Sequence, residues 1–136
     1  MLRRLDGGFA VIGDVQFLPG YCVLITDQPG VDRLTDLPRP RRLQFLDDME
    51  RLGEAVDVAC TVTDQAFRRV NLEILGHADA FLHAHVFPRY DWEPPERRPW
   101  PVWLYPPDRW SDPATALGPP HDTLRAAITA ELDAER

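Results

Sequence analysis

The sequence has 136 residues, 44% of them hydrophobic and 27% charged, and a formal net charge of −7. The length fits one globular unit, and the acidity opposes long-range attraction to a nucleic-acid backbone. All 15 basic residues are Arg, while Ser occurs once (Ser111) and Asn once (Asn71), which excludes Schiff-base, Walker A and Ser-Lys chemistry because each needs a lysine amine.

Ser111 lies in RWSDPA, outside any G-x-S-x-G elbow, so His, Asp, Glu and Cys are left to do chemistry. In chain order, Phe9–Ile12 and Tyr21–Ile25 are short apolar runs separated by DVQFLPG, which predicts a hairpin whose loop borders a pocket. From Pro38 to Cys60 the period changes to that of an amphipathic helix. Leu46, Met49, Leu52, Gly53, Val56 and Cys60 share its inner face, and Asp47, Glu50, Arg51, Glu54 and Asp57 are expected outside. Both prolines fall in its first turn, where a missing amide hydrogen costs nothing. Phe67–Leu75 then alternates, with Val70, Leu72 and Ile74 toward the core and Arg69, Asn71 and Glu73 away from it. After the LGHAD turn, Phe81–Phe87 alternates again: Leu82, Ala84 and Val86 point inward, and Phe81, His83, His85 and Phe87 share the opposite, more open face. Paired as a second hairpin, these runs put Asn71 on the histidine face.

The stretch DWEPPERRPWPVWLYPPDRW is too aromatic for a disordered linker and too proline-rich for a helix or central strand. It is expected as an ordered extended segment on a surface, with its large aromatics packing in place or across a dimer. Asp122–Leu132 closes the chain as a short helix with Leu124, Ile128 and Leu132 on one face. The expected fold class is α+β: an antiparallel sheet of two hairpins with one long helix between them, a Pro/Trp-rich extended tail and a short C-terminal helix. One domain, 1–136, comprises a core (8–90), the Pro/Trp-rich segment (91–120) and the terminal helix (121–135). No apolar run approaches the ~20 residues of a membrane span, and the N-terminus lacks the pattern of a secretion signal. Cys22 and Cys60 read as buried free thiols rather than a disulfide, which fits a cytoplasmic protein with no membrane partner.

The informative tripeptide is His83-Ala84-His85, whose spacing sets two imidazoles on one strand face about 7 Å apart along the chain. Three readings stay open on these residues. The pair can chelate a metal with help from His77, Asp79, Asp91 or His121. One imidazole can act as a nucleophile toward phosphorus while the other positions phosphate oxygens. Or the two are half-buried strand histidines with no further role.

The wider stretch RVNLEILGHADAFLHAHVFPRY resembles the signature of the histidine triad (HIT) hydrolases and transferases, His-φ-His-φ-His-φ-φ with φ apolar, often followed by Pro-Arg. The match places His83 on the family's nucleophile and His85 on its third histidine, with Phe81 in place of the first. Asn71 falls near the Asn or Gln beside the reacting phosphate, and Gly76-His77 replaces a common Gly-Gln pair. GFAVIGDVQFLPGYCVLIT is similar to the family's opening hairpin, with Tyr21 where many members carry His. The resemblance covers nearly the first ninety residues and is strongest to the bacterial members of diadenosine tetraphosphate hydrolase-like type.

That resemblance implies a nucleotide hydrolase or nucleotidyl transferase acting at the α-phosphate of a dinucleoside polyphosphate or nucleoside phosphoramidate through a covalent nucleotidyl-histidine. His83 would be the nucleophile, its other ring nitrogen held by the Phe81 carbonyl. His85 would bind a non-bridging oxygen, and His77 would protonate the leaving oxygen, a role testable by the pH profile of His77→Gln. Asp14 would hold ribose hydroxyls, Asn71 the reacting phosphate region and Arg89 a phosphate, although a lone Arg beside an acidic residue reads more readily as a partner of Asp91. The implied partners are a small-molecule nucleotide and a second copy of the chain as a homodimer. No protein-held metal or cofactor is required, and Mg²⁺ would enter only on the substrate phosphates. Two alternatives stand beside this: a nucleotide-binding protein with weak or no catalysis, consistent with the missing first histidine, and a metal-dependent enzyme using the His-x-His pair.

Overall fold

The computed structural model describes residues 1–76 and 78–134. The two expected hairpins form and join edge to edge. Strands β1 (Arg3–Arg4), β2 (Gly8–Ile12), β3 (Cys22–Thr26), β4 (Phe67–Glu73) and β5 (His83–Tyr90) make one antiparallel sheet in the order β1-β2-β3-β5-β4. The short β1 had no sequence signal, because two residues cannot display a period of two. Helix α1 (Arg39–Thr63) connects the hairpins, and α2 (Asp122–Ala134) closes the chain. Both helices lie on one face of the sheet, where Leu24, Phe45, Leu52, Val56, Leu82, Ala84, Val86 and Ile128 form the main core. The fold is α+β, as the patterning predicted.

Three expectations are corrected. Arg51, assigned to the outer face of α1, is buried. Asp48 beside it accepts a hydrogen bond from the Gly7 backbone N–H at 2.6 Å, and the Arg51 guanidinium lies 3.7 Å from Asp48 and 3.9 Å from Asp6. The turn between β1 and β2 packs against the helix so closely that a Cβ at Gly7 would lie 3.2 Å from the Asp48 carboxylate. A backbone donor held there needs a buried acceptor, and helical periodicity alone does not reveal it. Second, Leu72 and Ile74 are exposed rather than in the core, because β4 is the edge strand and α1 offers only Gly53 opposite Leu72.

Third, the Pro/Trp-rich segment carries a chain of 3₁₀ turns rather than running as an extended segment: Val102–Leu104, Pro107–Ser111, Pro113–Thr115 and Pro119–His121. Proline fixes φ near −65° at the start of such turns, and i to i+3 bonds follow, as from Tyr105 N–H to the Val102 carbonyl at 2.9 Å. This segment crosses the sheet face opposite the helices and builds a second core with Val15, Phe17, Leu18, Tyr21, Phe87, Val102 and Tyr105. It leaves open the part of that face around the histidines. Among the described residues no helix is long and apolar enough to cross a membrane.

Candidate active site

The hairpin loop DVQFLPG is rigid for identifiable reasons. Gln16 is buried; its amide donates to the carbonyls of Gly13 (2.9 Å) and Tyr21 (3.0 Å), and its side-chain oxygen accepts from Gly20 N–H at 2.8 Å. Leu117 N–H and Gln16 N–H bind the loop to the tail, through the carbonyls of Asp14 (2.8 Å) and Thr115 (2.6 Å). Gly13 is obligatory because a Cβ there would sit 2.4 Å from the Tyr21 ring. Gly20 has φ +100°, and a Cβ would meet Cys60 Sγ at 2.7 Å. The result is a Tyr21 ring held flat against Phe87, centroids 4.8 Å apart and planes 14° from parallel.

That placement delivers the Tyr21 hydroxyl to His85 Nδ1 at 2.8 Å. Burial pushes the phenol above its ordinary range, so it stays protonated. Against a neutral imidazole the hydroxyl donates to Nδ1, which puts the His85 proton on Nε2. The His85 ring also stacks on Phe87 at 5.1 Å and 6°. His83 is 5% exposed, and its Nδ1 lies 2.8 Å from the Phe81 carbonyl oxygen. A carbonyl only accepts, so Nδ1 carries a proton, and in the neutral imidazole Nε2 keeps its lone pair. The two imidazoles are 4.9 Å apart and edge to face, 82° between planes. In their neutral forms one ring therefore keeps an unprotonated Nε2 and the neighbouring ring a protonated one.

Both histidines line a cleft of about 490 Å³. Val11, Val23 and Ile25 supply an apolar wall, Asp14 and Asp79 the acidic rim, and Phe81 and Trp110 the aromatic sides. Trp110 stands edge-on to Phe17 at 5.0 Å and 90°, so one tail aromatic belongs to the cleft while Tyr105 packs in the second core. Trp92, Trp100 and Trp103 are exposed. The hairpin valines and isoleucine were legible as the outward positions of β2 and β3; Trp110 had no local signal separating it from its neighbours.

Of the residues read from sequence, His83, His85 and Asp14 come together in this cleft. His77 lies outside the described residues. Asn71 shares the histidine face, as the alternation requires, but stands opposite Phe87 and lines a separate pocket. Arg89 is corrected: its partner is Glu93, not Asp91, which pairs with Arg68 at 3.4 Å. The Arg89 guanidinium is 4% exposed and Glu93 is 1% exposed. Nε and Nη2 donate to the Glu93 carboxylate at 3.0 to 3.2 Å, and the remaining bonds go to the carbonyls of Trp100, Arg97 and Arg98. Tyr105 O–H and Tyr90 N–H complete the Glu93 shell at 2.7 Å each. Arg89 thus ties the tail to β5 rather than serving the cleft.

Among the described residues no three His, Cys, Asp or Glu side chains gather as a metal site. His121, one of the ligand candidates, accepts from Gly118 N–H at 3.1 Å in the turn before α2. Cys22 and Cys60 are buried free thiols, as expected. Burial pushes the Cys60 thiol up to about 11, which removes it from the list of nucleophiles at neutral pH.

No protein-family model matches the chain, and no curated protein matches its sequence. Solved structures do. A histidine triad protein from Sinorhizobium meliloti 1021 superposes with TM-score 0.77 at 17% identity, covering 96% of this chain and 87% of its own. One from Marinobacter aquaeolei VT8 superposes with TM-score 0.70 at 21% identity, over 96% and 83%. A Zn-bound histidine triad family protein from Mycobacterium smegmatis gives TM-score 0.61 at 21% identity, over 99% and 86%. At these identities the likeness is one of architecture: the chain has the histidine triad fold.

Proposed function

We propose that this protein is a nucleotide hydrolase or nucleotidyl transferase that attacks the α-phosphate of a dinucleoside polyphosphate or nucleoside phosphoramidate with His83 Nε2. The observation that carries the reading is the hydrogen bond from His83 Nδ1 to the Phe81 carbonyl, which leaves Nε2 unprotonated in a cleft beside a hydrogen-bond donor. In the first step the Nε2–P bond forms and the P–O bond to the leaving phosphate breaks, its electron pair staying on the departing oxygen; with a phosphoramidate the P–N bond breaks instead and the departing nitrogen takes up a proton as it leaves as the amine. Negative charge grows on the non-bridging oxygens, to which the Nε2–H of His85 would donate. Water then attacks phosphorus, the P–N bond breaks with its pair returning to Nε2, and a proton is released to solvent. Two displacements replace one difficult step.

The apolar wall and Trp110 suit a nucleobase, and Asp14 at the rim suits ribose hydroxyls. Nothing in this reaction asks for a metal on the protein; Mg²⁺ would arrive on the substrate phosphates. A second copy of the chain fits the exposed edge strand β4, where Leu72 is 43% exposed. Sedimentation equilibrium would give a dimer for the wild type and a monomer for Leu72→Arg; a monomeric wild type removes this part of the proposal.

The deciding experiment incubates the protein with diadenosine tetraphosphate, with and without EDTA, and looks by mass spectrometry for nucleotidylated protein and mononucleotide. An adduct present in the wild type, absent in His83→Asn and insensitive to EDTA is the expected result. Tight binding with neither adduct nor product would replace the reading with that of a nucleotide-binding protein.

A further inference from the structure

A second pocket of about 300 Å³ opens on the same sheet face, lined by Arg68, Arg69, Asn71, Glu73, Arg98 and Trp100 among others. Its electrostatics are anomalous for a chain of net charge −7. Arg69 and Arg89 are directly opposed across β4 and β5, and like charges in that position destabilise a sheet. Arg89 is neutralised by Glu93, and Arg68 by Asp91. Among the described residues the Arg69 guanidinium has neither an ion pair nor a hydrogen bond, and the only bond from the Arg98 guanidinium is one of 3.5 Å to the Asp91 carbonyl. Two arginine heads are therefore available on one concave wall, with Asn71 beside them.

The pocket adjoins the histidine cleft. Glu73 lines it and is the cross-strand partner of His85, so the Cα atoms of the two residues lie about 5 Å apart on a shared face. From that junction to Arg69 the sheet runs four residues along β4, about 13 Å. The Glu73 carboxyl at the junction has Oε2 buried without a hydrogen-bond partner among the described residues, and burial raises it above its ordinary range. A carboxyl shifted toward its neutral form repels an approaching anion less than a free carboxylate and can donate to it.

We infer that this pocket is a phosphate-chain subsite that receives the anionic leaving group of the reaction proposed above, with Arg69 and Arg98 binding its phosphates. The inference rests on that reading for the origin of the ligand, whereas the anion site itself rests on the unpaired arginines. Arginine forks match phosphate oxygens in bidentate geometry, and the exposed Trp100 indole closes the outer wall. A substrate whose leaving group is a bare amine would not reach it.

The test compares the full-length wild type with Arg69→Gln/Arg98→Gln, changes at one exposed and one half-buried side chain that leave the buried Arg89–Glu93 pair and the surface Arg68–Asp91 pair intact. With diadenosine tetraphosphate, KM should rise at least about tenfold, while kcat/KM for adenosine 5′-phosphoramidate stays within about twofold. Equal losses on both substrates, or no loss on either, overturn the subsite. Titration calorimetry with inorganic tripolyphosphate separates this result from the fate of the catalytic reading. Binding that survives His83→Asn but weakens at least tenfold in the double arginine variant upholds the anion site even if the wild type forms no adduct. Binding lost in His83→Asn and unchanged in the arginine variant overturns it even if the adduct forms.

Discussion

Replacing Glu93 by Gln tests whether the tail is held to the sheet by a desolvated ion pair. Glutamine preserves the shape of the side chain but replaces one carboxylate oxygen by an NH₂ donor. Every neighbour of that carboxylate is itself a donor: Arg89 Nε and Nη2, Tyr105 O–H and Tyr90 N–H. Whichever way the amide is turned, a donor faces a donor, and the Arg89 charge stays buried without its counter-ion. Removing one partner of such a pair costs about 3–5 kcal/mol. For 136 residues the unfolding entropy is about 0.29 kcal/mol per kelvin near 60 °C, so Tm should fall by roughly 10–18 °C. Differential scanning calorimetry on wild type and Glu93→Gln measures this directly. Replacing both partners, as in Arg89→Met/Glu93→Leu, should recover only part of the loss, because the carbonyls of Trp100, Arg97 and Arg98 lose their donor. A drop below about 4 °C for Glu93→Gln would refute the argument, since it would mean water reaches the Arg89 head.

Two further predictions concern the cleft and the helix. Tyr21→Phe keeps the ring on Phe87 but removes the donor to His85 Nδ1; a hydrogen bond of about 0.5–1.5 kcal/mol corresponds to a two- to twelvefold loss of kcat/KM in steady-state assays, and an unchanged value would remove Tyr21 from the site. Asp48 has its carboxyl raised mainly by burial, against the Gly7 N–H bond that lowers it. The folded chain then binds this proton more readily than the unfolded one, so the contribution of Asp48 to stability is full below about pH 3.9, the unfolded value, and is lost as pH rises through the folded one. In urea titrations Asp48→Asn should gain on the wild type between pH 4 and pH 7, and a constant gap would contradict the assignment.

Much of the sheet and one end of the site were legible in the sequence because they rest on local periodicity. Leu82, Ala84 and Val86 alternate with His83 and His85, and in a pleated strand that alternation decides which residues face the helices and which face the cleft. The bond from the His83 ring to the carbonyl two residues back is implied by the family resemblance and not by the spacing, and the structure shows it at 2.8 Å. What sequence could not decide depends on partners distant along the chain. Arg51 reads as solvent-facing until the β1–β2 turn presents to Asp48 beside it an amide that needs a buried acceptor. Arg89 reads as a phosphate ligand until Glu93 and Tyr105 close around it, and Asn71 is parted from the histidines by the intervening Phe87. Trp110 enters the cleft only because consecutive proline turns fold the tail back over β5. Periodicity is a property of neighbouring residues, whereas burial, charge pairing and the placement of one aromatic among five are decided by long-range contacts that only the tertiary structure makes.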